Sequence, residues 1–300
     1  MPASFRRAAV TAVVAAAALL ATALPAEATD TLDRAYTGTV DAGDRCAESR
    51  GPTTGWAWPL AISFDPLSTG ALSRVTLELT PFLKGSPDVT IQVVDTWGTT
   101  PRDHVLAEAT IPAATVLASP AGPTGHGHLV DVAFAQRPVL RSGSRYFVVV
   151  RVGYDPAGPS RYCVARTTSS QQQTYMSGND FGGSTSWNTP PADPGHVLVL
   201  SDYLTTAATT LTVSSWVNTF PVSEPVLRYR AELTAGGITV PGELVTFSAN
   251  GQTLCSATTD AYGIAECDGM AGLPAVDGYD ATFAGSALLL PTTGHGSLIG

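Results

Sequence analysis

The residues with the most chemical potential in this 300-residue sequence are aromatic. Trp56, Trp58, Trp97 and Trp187 all fall before residue 204, and positions 171–191 mix Tyr175, Phe181 and Trp187 with amides and hydroxyls. Flat aromatic faces flanked by Asn, Gln and Ser suit sugar rings, which stack C–H bonds on the ring and hydrogen-bond at its rim. Aromatics in loops also anchor protein interfaces. Tyr175, Phe181, Trp187 and Trp97 are therefore the candidate ligand-binding residues. Trp56 and Trp58, two apart and so on one face of an extended segment, are expected to pack over the core near Cys46, because tryptophan is usually largely buried.

Catalysis has less to work with. No G-x-S-x-G elbow marks an exposed nucleophile. The five histidines are scattered, and the His126-Gly127-His128 pair sits in a glycine-rich segment with no third metal ligand nearby, which reads as a solvated loop. Asp155, Asp180 and Asp193 fall in expected loops, where forming turns is the ordinary role of aspartate, although a glycosidase would need two such carboxylates across a cleft. The pattern D-x-[DN]-x-[DN]-G is absent. No catalytic residue, cofactor or catalytic metal is assigned; a structural calcium on loop carboxylates such as Asp180 is the one ion these oxygen-rich loops would suit. Leu290-Pro291-Thr292-Thr293-Gly294 spells a sortase-type sorting motif. Sorting needs a following apolar span and a basic tail, and His295 to Gly300 supply neither, so the pentapeptide is read as the approach to a last strand.

Four cysteines allow three pairings in principle. Keeping each bridge within one half of the chain pairs Cys46 with Cys163 and Cys255 with Cys267. A hairpin around Asp260-Ala261-Tyr262-Gly263 supports the second pair: if Thr258 faces Ile264, Cys255 faces Cys267. No C-x-x-C spacing occurs, so a zinc or redox site has no support.

The compartment follows from the N-terminus. Arg6 and Arg7 precede an apolar run over 8–24, Pro25 breaks it, and Ala26-Glu27-Ala28 supplies a small-x-small cleavage pattern. Residues 1–28 are thus expected to be a signal peptide, removed on export to an oxidising environment where the cysteines pair. No later apolar stretch reaches spanning length. With a net charge of −9 and a single lysine, Lys84, the chain lacks the basic footprint of a nucleic-acid or anionic-membrane binder.

The elements that must position these residues are strands. Charged residues are scarce at 14%, which argues against disorder, and alternation with period two recurs between Gly, Pro, Asn, Asp and Ser clusters. Arg74 to Thr80 places Val75, Leu77 and Leu79 on one face and Thr76, Glu78 and Thr80 on the other. Tyr146 to Val152 is apolar on both faces, as a central strand would be. With 61–64, 89–94, 105–111, 130–134, 161–166 and 197–203, about eight strands are expected between 31 and 204, the count of a jelly-roll-like sandwich. A low-hydrophobicity seam at 205–209 reads as a linker. Beyond it, 211–214, 226–233, 243–249, 254–259, 264–268, 279–283 and 297–299 give seven short strands, the immunoglobulin-like count. The expected fold is all-β: two tandem β-sandwiches, over 31–204 and 210–300.

A resemblance supports the second. Thr209-Thr210-Leu211-Thr212-Val213, Val240 to Phe247, Asn250-Gly251, Thr259 to Ala265 and Tyr279 to Gly285 resemble the bacterial Ig-like repeat family over nearly all of 209–300. The resemblance implies an Ig-type sandwich serving as spacer or adhesion module in extracellular proteins, here in one copy. Residues 31–204 resemble, more loosely, the accessory β-sandwich modules of exported bacterial proteins, through Phe64-Asp65-Pro66, Gly70 to Val75, Leu140 to Tyr146, Tyr175 to Gly178 and Trp187.

Function is thus expected to be secreted and non-catalytic: a carbohydrate- or other ligand-binding surface on the first sandwich, with an Ig-like spacer. Polysaccharide or envelope proteins are the expected partners. A structural module that binds only proteins, and a hydrolase with a concealed site, are the alternatives. Clustered exposed aromatics would favour the first reading, a flat apolar patch the second, and paired carboxylates in a cleft the third.

Overall fold

The computed structural model describes residues 30–49, 57–82, 87–153, 160–181, 184–188, 196–218, 226–270 and 278–297. The expected signal peptide and Trp56 lie outside the described residues, as do Asp155 and Asp193. Of the described residues 68% are in strands and 3% in helix, arranged in several antiparallel sheets, so the chain is an all-β sandwich protein. Among them no helix is long and apolar enough to cross a membrane.

The N-terminal part begins with β1 (Thr31–Tyr36), β2 (Thr39–Ser49), β3 (Ala57–Trp58), β4 (Leu60–Phe64) and β5 (Gly70–Phe82). It continues with β6 (Val89–Trp97), β7 (Thr100–Ile111), the short helix α1 (Ala113–Ala118), β8 (His128–Ala133), β9 (Val139–Leu140) and β10 (Tyr146–Val152). β11 (Ser160–Thr168), β12 (Tyr175–Phe181), β13 (Ser184–Asn188), β14 (His196–Leu198) and β15 (Leu200–Thr205) complete it. These strands form one continuous antiparallel sheet, whose order runs β1-β15-β5-β11-β2-β3-β12-β4-β10-β6-β7. The sheet folds on itself. Leu77 and Leu79 of β5, Leu200 of β15 and Val164 of β11 come from one wing; Ile62 of β4, Ile91 of β6 and Val148 of β10 come from the other. All seven are fully buried in a shared core.

All eight expected strands of this part are present, and β5 alternates as its sequence dictates. Its outer face departs from expectation, because Thr76 and Glu78 are buried as well. The segment between α1 and β8 lies over that face, and the Glu78 carboxylate accepts hydrogen bonds from the backbone N–H of Thr124 (3.2 Å) and Gly127 (3.2 Å) and from the Thr124 hydroxyl. A Cβ on Gly122 would lie 2.1–2.4 Å from the Glu78 side chain, so only glycine lets the loop approach this closely. The glycine-rich 122–128 segment thus wraps a buried acid. His126 is exposed there, and His128 uses its Nδ1 to bond the Ser119 carbonyl at 2.8 Å.

Besides the two-residue strands β3 and β9, two longer strands and a hairpin were not expected from the sequence. β1 pairs with β15 at one sheet edge, and β2 pairs with β11 so that Cys46 directly faces Cys163. Their Cα atoms are 3.9 Å apart, and the two are joined by a disulfide. Trp58 of β3 is half-buried opposite Glu48 of β2, two residues from Cys46. The stretch around Tyr175 and Trp187 is the β12–β13 hairpin rather than a loop.

The C-terminal part contains β16 (Thr209–Asn218), β17 (Val226–Ala235), β18 (Ile238–Thr239), β19 (Leu244–Ala249), β20 (Gln252–Thr258), β21 (Ile264–Met270), β22 (Tyr279–Phe283) and β23 (Thr292–Gly296). One sheet is β16-β17-β18 with β21 beside β17, and the other is β20-β19-β22-β23. Tyr229, Phe247 and Tyr279 pack together between them, with the Tyr229 and Tyr279 ring centroids 4.7 Å apart in an edge-on arrangement.

The expected Cys255–Cys267 hairpin is not formed, although the disulfide is. β20 belongs to one sheet and β21 to the other, so the turn between them is a corner. Asp260 Oδ1 accepts from the backbone N–H of Tyr262 and Ile264, and the Gly263 carbonyl accepts from Leu233, which hands the chain to β17. The bridge therefore ties the two sheets together, with Cα atoms 6.3 Å apart. β23 is a strand the sequence did not lead one to expect, and of the expected last strand, 297–299, residues 298 and 299 lie outside the described residues. Thr292, Thr293 and Gly294 of the sorting-like pentapeptide are built into β23 and pair with β22.

The seam at 205–209 is not free chain. Ala207 is buried, its N–H bonds Leu288 and its carbonyl accepts from Leu290. Leu288 reaches the N-terminal core, Ala71 belongs to the C-terminal one, and Arg141 donates to the Ala261 carbonyl at 3.0 Å.

Candidate functional site

The site is built on the outer face of the β12-β4-β10-β6-β7 wing. β10 reads YFVVVRV because both of its faces are covered. Tyr146, Val148, Val150 and Val152 point into the main core, while Phe147 and Val149 join Ala61, Val94 and Met176 in a second apolar cluster outside it. Trp187 packs against this outer cluster. It is carried there by the β12–β13 hairpin, in which Trp187 faces Gly178. A Cβ on Gly178 would come within 2.7 Å of Pro59 and Thr185 and 2.9 Å of the indole, so glycine is what allows the ring to rest against the strand.

A polar row crosses the same face. Gln92 of β6 donates to Glu108 of β7 at 2.6 Å, and Arg151 of β10 donates to Gln92 at 2.8 Å. Arg151 also pairs with Asp180 of β12 and donates to the Thr185 hydroxyl of β13 at 3.2 Å, while Thr185 donates to Asp180. Five strands are thus linked by side chains whose positions are fixed by one another, a preorganised set beside the Trp187 ring.

Between β13 and β7 lies an open groove of about 340 Å³. Val94 and Val149 lie among its apolar lining residues, Asp180, Thr185 and Trp187 line it from the hairpin, and Arg102, Asp103 and Val105 line it from β7. The β7 contribution depends on an irregular register. Val94 pairs with Val105 but Thr96 pairs with Pro101, so residues 102–104 stand opposite the single Asp95. Asp95 Oδ2 holds this bulge from beneath, 3.2 Å from His104 Nδ1 and 3.7 Å from Arg102. At the tip, Trp97 is 74% exposed and the Arg102 guanidinium lies 5.2 Å from its ring centroid. The indole N–H of Trp187 is buried and has no hydrogen-bond acceptor among the described residues.

Of the four candidate ligand residues, Trp187 lines the groove, and Trp97 lies outside it against Arg102, which does line it. Tyr175 does not belong to the surface. It is buried in the main core, where its hydroxyl accepts from Arg45 at 2.8 Å, because positions 175 and 176 of a strand point to opposite faces and Met176 takes the outer one. The Phe181 ring lies outside the described residues. Asp180 is on a strand and not in a loop. Each of its oxygens accepts a hydrogen bond, one from Arg151 and one from Thr185. Among the described residues no three His, Cys, Asp or Glu side chains gather to hold a metal. Sequence reasoning missed Gln92, Arg102, Asp103, Arg151 and Thr185. The usable signal was Arg151, a charge inside an otherwise apolar central strand.

A buried acid lies at the other sheet edge. Asp202 of β15 is fully buried between Leu200 and Leu204, and neither carboxylate oxygen has a hydrogen-bond donor among the described residues. Burial pushes its pKa up to about 7, the neighbouring Asp33 charge adds to the rise, and Arg34 opposes it. Asp33 sits at a register shift in β1 and accepts the Leu67 N–H at 2.6 Å.

Compared with known protein families and with curated proteins, the chain matches none.

Proposed function

We propose that this is a secreted, non-catalytic binding protein whose N-terminal sandwich takes carbohydrate in the Trp187 groove, with the C-terminal, Ig-like sandwich as spacer or adhesion module. The observation that carries the proposal is the indole of Trp187 beside a cross-linked row of Gln92, Arg151, Asp180 and Thr185 in an open groove. A ring of sugar size would gain stacking from the indole and rim hydrogen bonds from groups that need no reordering. The two disulfides suit an oxidising, extracellular setting. Hydrolysis is a poorer fit: Asp180 is held in an ion pair, which deprives it of the freedom of a general acid or base.

The test is pull-down of the disulfide-intact protein on insoluble and soluble polysaccharides, with Trp187→Ala alongside and its fold checked by near-UV circular dichroism. Retention that a folded Trp187→Ala loses about tenfold or more supports the groove as the site. No retention on any polysaccharide overturns the carbohydrate reading and leaves a protein partner as the occupant to seek.

A further inference from the structure

Trp97 is costly to leave as it is. A large indole standing 74% in solvent contributes nothing to either core. Yet its surroundings are built. The β6–β7 register shifts twice within a few residues just before it, and simple alternation from Val89, Ile91 and Val93 would have sent position 97 toward the main core. The residues those shifts add are all on β7, and β6 runs three residues past Val94, the last that β10 pairs, which leaves Trp97 at the hairpin tip. The bulge at 102–104 then places Arg102, 3.7 Å from Asp95, where it both lines the Trp187 groove and lies over the Trp97 ring. Arg102 is therefore the bridge between a half-buried indole inside the groove and an exposed one outside it.

We infer that Trp187 and Trp97 are two stations of one extended site, and that the ligand is a linear neutral oligosaccharide rather than a single sugar. The inference rests on the carbohydrate reading of the groove. A groove of about 340 Å³ holds roughly one or two rings, so a chain seated at Trp187 leaves over β7 and passes Arg102 before meeting Trp97. The groove is lined by Arg102, Arg151, Asp103 and Asp180, and Asp95 and Glu108 add negative charge beside it, so the path offers no excess of positive charge to a polyanion. The chain as a whole carries −9, which repels polyanionic glycans. Rings with equatorial substituents fit best, because they expose the flat C–H face that an indole accepts.

The test is calorimetric titration with glucose-, xylose-, mannose- and N-acetylglucosamine-based β-1,4 oligomers of graded length, from one unit to six, on the wild type, Trp97→Ala and Trp187→Ala. Affinity is expected to climb with length for at least one series. Trp97→Ala should flatten that climb, losing about tenfold on the longest oligomer and little on the shortest. Because Trp97 is solvent-exposed, this variant keeps the fold. Trp187→Ala should lose all lengths together. Binding that is independent of length, or a length dependence untouched by Trp97→Ala, overturns the two-station site while leaving the groove reading intact. Absence of binding in every series overturns both.

Discussion

Replacing Asp202 with asparagine should make the protein more stable at neutral pH and remove a specific part of its pH dependence. Asp202 is flanked by Leu200 and Leu204 on the core side of β15, with Asp33, Arg34 and Tyr36 around it from β1 and no donor for either oxygen among the described residues. An acid whose folded pKa is raised binds its proton more tightly when folded. Its cost to stability is therefore absent below the unfolded pKa of 3.8, grows as pH rises, and is complete once pH passes the folded value of about 7. Over that whole window the cost is about 4 kcal/mol, from 1.36 kcal/mol per pKa unit. Between pH 5 and pH 8 it is about 2 to 3 kcal/mol, and the titration of other groups cancels in the comparison with Asp202→Asn. Protonated Asp202 can donate to Asp33, and an asparagine amide can do the same at every pH.

The assay is urea unfolding of wild type and Asp202→Asn at pH 5 and pH 8, read by tryptophan fluorescence with disulfides intact. The difference between the two proteins should change by about 2 to 3 kcal/mol between those pH values, in favour of asparagine at pH 8. Equal pH dependence in both proteins, or a wild type that gains on asparagine as pH rises, would refute the argument from burial.

Three further outcomes follow from close contacts. Gly178→Val should cost about 1–3 kcal/mol by forcing Pro59, Thr185 and Trp187 aside, and should weaken glycan retention as the indole moves; thermal melts and the polysaccharide pull-down read the two effects. Glu78→Ala strands the N–H groups of Thr124 and Gly127, so a loss of about 2–4 kcal/mol and faster amide exchange across 122–127 are expected. Removing Cys46–Cys163, which closes a separation of 117 residues, should cost about 4–5 kcal/mol, against about 3 for Cys255–Cys267 with its separation of 12. Denaturant midpoints of the two double alanine variants give the ranking, and an inverted order would tell against the chain-entropy argument.

What the sequence made legible was whatever period two could carry. β5, β6, β8 and β10 were found because alternating side chains meet one core, and turn chemistry at Asn250-Gly251 and Asp260–Gly263 marked where strands stop. Period two is silent about which strand a neighbour will be. The same arithmetic that failed for Cys255 and Cys267, whose strands lie in different sheets, holds for Cys46 and Cys163, which face each other across β2 and β11 although 117 residues apart. A turn that closes a hairpin and a turn that rounds a corner use the same residues, and only the third strand, here β17 taking the Gly263 carbonyl, decides between them.

The groove was half-legible for a related reason. Trp187 and Trp97 stood out by type, but the side chains that make them a site come from β6, β7, β10 and β12, brought together by sheet order alone. β12 and β13 hid because their alternation serves two different surfaces: Tyr175 enters the main core while Met176 and Trp187 cover the outer cluster. A strand apolar on one face announces a core, whereas one apolar on both, such as β10, announces that something must lie over its second face. Phe147, Val149 and the intruding Arg151 were that announcement. An arginine in a strand covered on both faces needs a carboxylate brought to it, and the hairpin that brings Asp180 brings Trp187 with it.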